Sequence, residues 1–377
     1  MASALFEPFR LRGLKLSNRV VVSPMCQYSA LNGNASDWHI IHLGQYAVSN
    51  AGLVILEATG VEPEGRITAS CLGLWSDSNQ EALDRVLRMV RPFASMPLGI
   101  QLSHAGRKAS VRSPGQGRGN LSPEDGGWEI VGPTSDPFDI GWQRPVALDT
   151  QGMQRILKAF VQAAVRADEL GLELLEIHAA HGYLLSSFLS PLGNYRNDVY
   201  GGSRENRMRF PLEVIKAVRE VWPERKPLGV RFNGTDWLEN GLHAEDAVQF
   251  SHALKDLGCD YMDLSSGGNA RARIPLEPGY QVRFAEQVKR EVDVATMCVG
   301  LIRDPEHAES IVATGQADLV AIGRGFLYNP RWVWHAAQAL GVPYEVTHQY
   351  IRGATPSGLP SQDTVIDQPP EHIGPKL

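Results

Sequence analysis

The chain has 377 residues, 43% of them hydrophobic, with 36 basic against 42 acidic side chains and a formal charge of −6. That is enough for one large core, as in a single α/β barrel with insertions. The acidic balance and the lack of a long basic run offer neither a nucleic-acid backbone nor an anionic membrane surface a grip, so a small-molecule partner is expected.

The opening segment MASALFEPFRLRGLKLSN lacks the continuous apolar stretch of a secretory signal, and no run approaches the roughly 18 apolar residues of a membrane span. A cytoplasmic location is the expectation. Cys26, Cys71, Cys259 and Cys298 are far apart and form no C-x-x-C pair, which argues against a zinc ribbon and against a disulfide framework.

Short apolar runs rich in β-branched residues recur in order: NRVVVS (18–23), GLVILEA (52–58), PLGIQL (97–102), LELLEI (172–177), PLGVRF (227–232), CDYMDLS (259–265), VATMCVG (294–300) and ADLVAIG (317–323). Without in–out alternation they read as strands covered on both faces, the habit of parallel sheets. Between most of them lie segments of helical period, among them SNQEALDRVLRMVRPFA, DTQGMQRILKAFVQAAVRADELG, SRENRMRFPLEVIKAVREVW, HAEDAVQFSHALKDLG and DPEHAESIVATG. Several begin with Asp or Ser caps. Eight strands alternating with helices predict a (β/α)8 TIM barrel, with a doubly wound open sheet as the alternative. The barrel is expected to fill residues 1–353. Residues 103–148, rich in Gly, Pro and Ser, form an insertion after the third strand that caps the barrel mouth. Residues 354–377 form a Pro-rich tail.

In such a barrel the active site is built on the C-terminal ends of the strands. Those ends are polar here: Ser23, Pro24, Met25, Cys26, Gln27 and Tyr28 after the first, Glu57-Ala58 at the second, Gln101 and then His104 at the third. His178 and His181 follow at the fourth, Arg231 at the fifth, Asp263, Ser265 and Ser266 at the sixth, Gly300 at the seventh and Gly323-Arg324 at the eighth. Glycines at the last two ends, followed by an arginine, suit a phosphate held by backbone N–H groups.

The stretch HAAHGYLL (178–185) places two histidines three residues apart. If the turn is helical, both imidazoles face one target: a metal, a ligand oxygen, or nothing. H-E-x-x-H is absent, but Asp263 or Asp236 would complete a metal set, so a metal-dependent barrel hydrolase using His178 and His181 stands as the rival enzyme class. No G-x-G-x-x-G joins a strand to a helix, which argues against a Rossmann nicotinamide site. A redox carrier, if present, belongs in the barrel mouth.

SPMCQYSA, EATGVEPEGRI, IQLSHAGRKAS, HAAHGYLLSSFLSPLGNYRNDVYGGSRENRMRF and VGLI…ADLVAIGRGFLYNPRW together resemble the old yellow enzyme family of flavin-dependent ene-reductases, nearest its thermophilic-like subgroup by the pattern of Cys26 and Tyr28. The likeness runs from about Leu5 to about Gly353. It implies a non-covalent FMN at the barrel mouth, held by Ser23, Pro24, Met25, Cys26, Ala58, Gln101, His178, Arg231, Gly300, Gly323 and Arg324. It also implies NADPH, with NADH as an alternative donor, and an activated alkene or nitro compound as substrate.

On this resemblance His178 and His181 hydrogen-bond the substrate's oxygen and Tyr183 protonates its α-carbon. Cys26 tunes the flavin, and Tyr28 touches the substrate. Two electrons pass in ping-pong fashion through the flavin. Arg352, in QYIR near the end, resembles an arginine that enters a neighbouring subunit's site, which implies a homodimer or homotetramer. The chain departs from the subgroup pattern by continuing about two dozen residues beyond it. A flavin-binding protein without turnover is the remaining alternative; the histidine pair and tyrosine argue against it.

Overall fold

A computed structural model describes residues 3–117 and 119–353. The expected tail, 354–377, lies outside the described residues. Eight parallel strands close into a barrel: β1 (Val20–Val22), β2 (Leu53–Gly60), β3 (Leu98–Ser103), β4 (Leu174–Ala179), β5 (Leu228–Asn233), β6 (Tyr261–Ser265), β7 (Ala295–Cys298) and β8 (Leu319–Ile322), with β8 pairing back onto β1. Each lies within one of the eight apolar runs or overshoots it by one or two residues. The open sheet is excluded by the β8–β1 closure.

The helices the sequence marks are present. Asp149, Ser203 and Asp304 cap Thr150–Glu169, Arg204–Val221 and Pro305–Ala313, each accepting a backbone N–H through its side chain. Helices Asp37–Ala47, Val282–Val292 and Trp332–Ala339 complete the alternation and were not singled out by period. An antiparallel hairpin, Phe9–Leu11 with Leu14–Leu16, was also not foreseen. Its Leu11 and Leu16 join the barrel-interior residues Val21, Leu53, Ile55, Leu174, Tyr261, Met297 and Leu319 in one apolar cluster, closing the bottom of the barrel.

Above that apolar plug, the pleat carries alternate residues inward. Leu174, Glu176 and His178 climb β4; Gly229, Arg231 and Asn233 climb β5; Tyr261, Asp263 and Ser265 climb β6. The register sets Gln101 beside Glu176, His178 beside Arg231, and Arg231 beside Asp263. Gly229 has a volume role, since a Cβ there would lie 2.1 Å from the Tyr261 ring.

The insertion after β3 is mostly loop, with short pairs at Val131–Gly132 and Val146–Ala147. It packs over one side of the mouth. Lys108 Nζ donates to the carbonyls of His181 (2.7 Å) and Gly268 (3.1 Å), Arg107 donates to the Asn269 carbonyl, and Asp139 pairs with Arg271 of the loop after β6.

Candidate active site

One cavity of about 350 Å³ opens at the C-terminal ends of the strands, inside the range typical of ligand sites. Ser23, Pro24, Met25, Cys26, Ala58, Gln101, His178, His181, Tyr183, Arg231, Gly300, Gly323 and Arg324 all line it. Ser265 adds the end of β6, so residues from all eight strand ends meet in one place.

The floor is a buried polar network. Gln101 Nε2 donates to Glu176 Oε1 (2.8 Å) and the Tyr261 hydroxyl donates to Glu176 Oε2 (3.0 Å). Arg231 donates from Nη1 to Ser23 Oγ (3.0 Å) and its Nε lies 3.3 Å from Asp263. Burial raises the Asp263 and Glu176 carboxyls well above their ordinary range; the Asp263 charge adds to the effect at Glu176, and Arg231 opposes it at both. A cation set over two reluctant acids leaves positive potential available to a ligand.

A β-bulge at Glu57 shifts the β2 register so that Ala58, rather than Glu57, pairs with Gln101. Ala58 thereby lines the cavity, while Glu57 turns outward to His39 (3.2 Å) and the Gln27 N–H (3.0 Å). Bulges re-aim side chains in this way beside functional sites.

His178 and His181 do converge, but not through the helical turn the spacing suggested. His178 is the penultimate residue of β4, His181 sits in a turn at φ +60°, and the next helix starts only at Leu184. The left-handed residue folds the chain back so that the two rings stand 5.0 Å apart at 80°, with Tyr183 also 5.0 Å from His178. The turn has no room for a side chain at Gly182, where a Cβ would lie 2.0 Å from the Gly268 carbonyl oxygen.

Burial drives both imidazoles well below the usual histidine range; for His178 the charges of Arg231 and Lys108 add to this, and for His181 those of His178, Arg231 and Lys108. Both rings are therefore neutral near pH 7. His178 Nδ1 accepts the Ala180 N–H (3.1 Å), so its proton is on Nε2. Burial, followed by the neighbouring Cys26, Tyr28 and Cys71, raises the Tyr183 phenol well above 10, so it is present as a proton donor. Burial likewise raises Cys26, which marks it as a thiol rather than a thiolate nucleophile.

Other residues named from the sequence lie outside the cavity lining of this chain. Tyr28 is partly buried at φ +50° but does not line the cavity. Arg352 is exposed in a 3₁₀ turn, His348–Gly353, and does not line it either. His104 is instead sealed in a network, with Glu62 2.8 Å from its Nε2 and Arg155 on the same carboxylate. Nor does a metal set assemble. Asp236 is engaged by Ser190, Asn269 and the Leu242 N–H, and Asp263 faces Arg231. Among the described residues no three His, Cys, Asp or Glu groups are placed to hold a metal ion.

Sequence reasoning missed Tyr280, Gln281 and Arg303, which also line the cavity. Tyr280 and Gln281 lie at the end of a loop without period. Arg303 follows VGLI directly, and a charge just past the seventh strand's end was the available signal. Arg303 and Arg324 bring two guanidinium groups to a cavity whose other walls include Pro24, Met25, Ala58 and Ile322. An apolar slot with an amide, a buried arginine and two further arginines fits an amphipathic ring system bearing a phosphate, and FMN has that chemistry.

Fold and site define a (β/α)8-barrel enzyme that works with a phosphorylated cofactor at the strand ends. A family model described as the NADH:flavin oxidoreductase / NADH oxidase family matches residues 4–342. The NADPH dehydrogenase of Geobacillus thermodenitrificans is 44% identical over 355 residues, 94% of this chain and 99% of that protein. The NADPH dehydrogenase of Bacillus subtilis is 41% identical over 355 residues, 94% of this chain and all of that protein. Among solved structures, morphinone reductase superposes with a TM-score of 0.74 at 28% identity, covering 92% of this chain and 91% of that one. A 2-naphthoyl-CoA reductase gives 0.79 at 23% identity over 90% of this chain and 52% of that one, a likeness of fold. The chain belongs to the NADH:flavin oxidoreductase / NADH oxidase family, the old yellow enzymes, and is a nicotinamide-dependent flavin oxidoreductase acting on small molecules. No described helix is long and apolar enough to cross a membrane.

Proposed function

We propose that the protein is an ene-reductase that binds FMN non-covalently, takes electrons from NADPH (with NADH as an alternative donor) and reduces alkenes activated by a carbonyl or nitro group. The observation that carries this reading is the meeting, in one cavity, of two neutral imidazoles and a protonated phenol. FMN, when bound, would supply the two-electron redox chemistry that links the nicotinamide to the alkene.

The chain's own residues do the rest. Gln101, its Nε2 tied to Glu176, would offer its carbonyl to the polar edge of the flavin ring. Arg231, which lines the cavity, would stabilise negative charge on a reduced flavin. Arg303, Arg324 and the Gly323 backbone would hold the phosphate, with Gly300 allowing close approach. His178 and His181 donate to the substrate's oxygen, where charge grows as the β-carbon is reduced; such preorganised donors act as an oxyanion hole. Tyr183, beside His178, gives its phenolic proton to the α-carbon. Cys26 would modulate the flavin from the first strand's loop, and Tyr28, on the same loop, would contact the substrate.

The metal-hydrolase reading is not favoured, because Asp236 and Asp263 have other partners. A visible spectrum tests the proposal: the purified protein is yellow, bleaches with NADPH under anaerobic conditions, and regains colour when cyclohexenone is added. A colourless protein, or one that stays bleached, ends it.

The active unit in this reading is a homodimer or homotetramer in the cytoplasm, with Arg352 entering a neighbour's site and a barrel domain spanning 1–353. Light scattering should show at least a dimer, and Arg352→Ala should raise the enone KM several-fold. A monomer removes that role for Arg352.

A further inference from the structure

Ser265 ends β6 with its hydroxyl 2.7 Å from His181 Nε2 and 3.2 Å from Gln281 Oε1. Gln281 Oε1 already accepts the Ser266 hydroxyl at 2.6 Å. A serine has one hydroxyl hydrogen to give. The shorter contact, and the acceptor not otherwise served, is His181. We propose that Ser265 donates its hydroxyl hydrogen to His181 Nε2 and thereby holds that ring as the Nδ1–H tautomer, making Ser265 a positioning residue for the reduction proposed above.

The inference rests on that functional reading for its purpose but on proton accounting for its content. His178 has its Nδ1 engaged as an acceptor, so its Nε2–H is the free donor. The free edge of His181 is the opposite one: Nε2 is occupied by Ser265, while Nδ1 has no hydrogen-bond partner among the described residues and is not a sealed buried atom. Two imidazoles grip one ligand oxygen only if each presents N–H at its free edge. For His178 that means Nε2–H, for His181 Nδ1–H. In the other tautomer His181 would turn a bare lone pair toward the substrate's oxygen and repel it.

The surroundings restrict the ring to this role. The His181 N–H donates to Asn233 Oδ1 (3.1 Å), and Asn233 pairs in register with Ser265, so adjacent strand ends hold backbone and ring. Ser265, Ser266 and Gln281 are all buried, which fixes the hydroxyl against His181 Nε2. Burial keeps both imidazoles neutral, so the tautomer, rather than a second proton, decides which edge can donate.

The test is long-range 1H–15N correlation on 15N-histidine-labelled protein near pH 7, with His181 assigned by its loss in His181→Gln. The expected result is Nδ1–H for His181 and Nε2–H for His178. Ser265→Ala should move His181 toward Nε2–H and lower enone turnover about tenfold, a fraction of the 10²–10³ lost when a donor is removed outright. Ser265→Thr, which keeps the hydroxyl, should restore both. An Nε2–H His181 in the unmodified protein overturns the proposal without any variant, as does an unchanged tautomer in Ser265→Ala. If the tautomers are as stated but no FMN or enone turnover is found, the hydrogen-bond assignment stands and the enone reading falls.

Discussion

Replacing His178 with alanine removes one neutral N–H donor whose orientation is set by the Ala180 N–H on its other nitrogen. Loss of one preorganised donor to a developing oxyanion costs about 3 kcal/mol, or roughly a 150-fold slower step. The lower half of the observed range is expected here because the ring also packs 5.0 Å from both His181 and Tyr183, and the space it leaves admits a water that partly replaces the donor. The two half-reactions separate the effect. Enzyme reduced anaerobically with NADPH is mixed with cyclohexenone in a stopped-flow instrument, and the return of yellow colour is timed. His178→Ala should slow this step by about two orders of magnitude, while bleaching by NADPH slows less than tenfold. Reoxidation at the parent rate would refute the assignment, and equal slowing of both steps would make His178 a cofactor residue instead.

Three further outcomes are expected. His42, buried against Tyr46 at 4.9 Å, is lowered to about 4 by burial and then by His39. The unfolded chain takes up a proton there below pH 6.5 that the native ring refuses, so the stability it contributes is complete above 6.5 and is lost as pH falls toward 4. His42→Gln should therefore flatten urea-derived stability over that interval by about 3 kcal/mol; an unchanged slope contradicts a neutral His42. Gly182→Ala forces a left-handed alanine into the Gly268 carbonyl and should cost roughly 2 to 4 kcal/mol in denaturant titration, with loss of enone turnover. Equal stability would mean the two loops are not in contact. Cys26→Ala should shift the flavin midpoint potential and the enone KM; if neither moves, Cys26 only fills space.

The barrel was legible because burying both faces of a parallel strand demands unbroken apolar runs, and eight of them are visible in the chain. The helix caps Asp149, Ser203 and Asp304 were readable for a similarly local reason: an oxygen acceptor must stand where the first N–H groups are free. Which residues share the barrel interior was not legible, because runs without in–out alternation do not say which face turns inward; the structure places Glu176 beside Gln101 and Asp263 beside Arg231.

What the chain alone determined is thus the supply of groups at the strand ends, because strand periodicity and cap chemistry are properties of neighbouring residues. Their arrangement was decided only in three dimensions. The histidine pair meets through a left-handed turn wedged against Gly268, which a helical spacing rule cannot foresee. Ala58 replaces Glu57 at the cavity through a bulge that depends on the partner strand. Asp236 and His104, plausible ligands by position, are withdrawn by Ser190 and Glu62, residues distant in sequence. Which proton sits on which imidazole edge follows from hydrogen bonds spanning 2 residues at His178 and 84 at Ser265, and only the second needed the barrel to close.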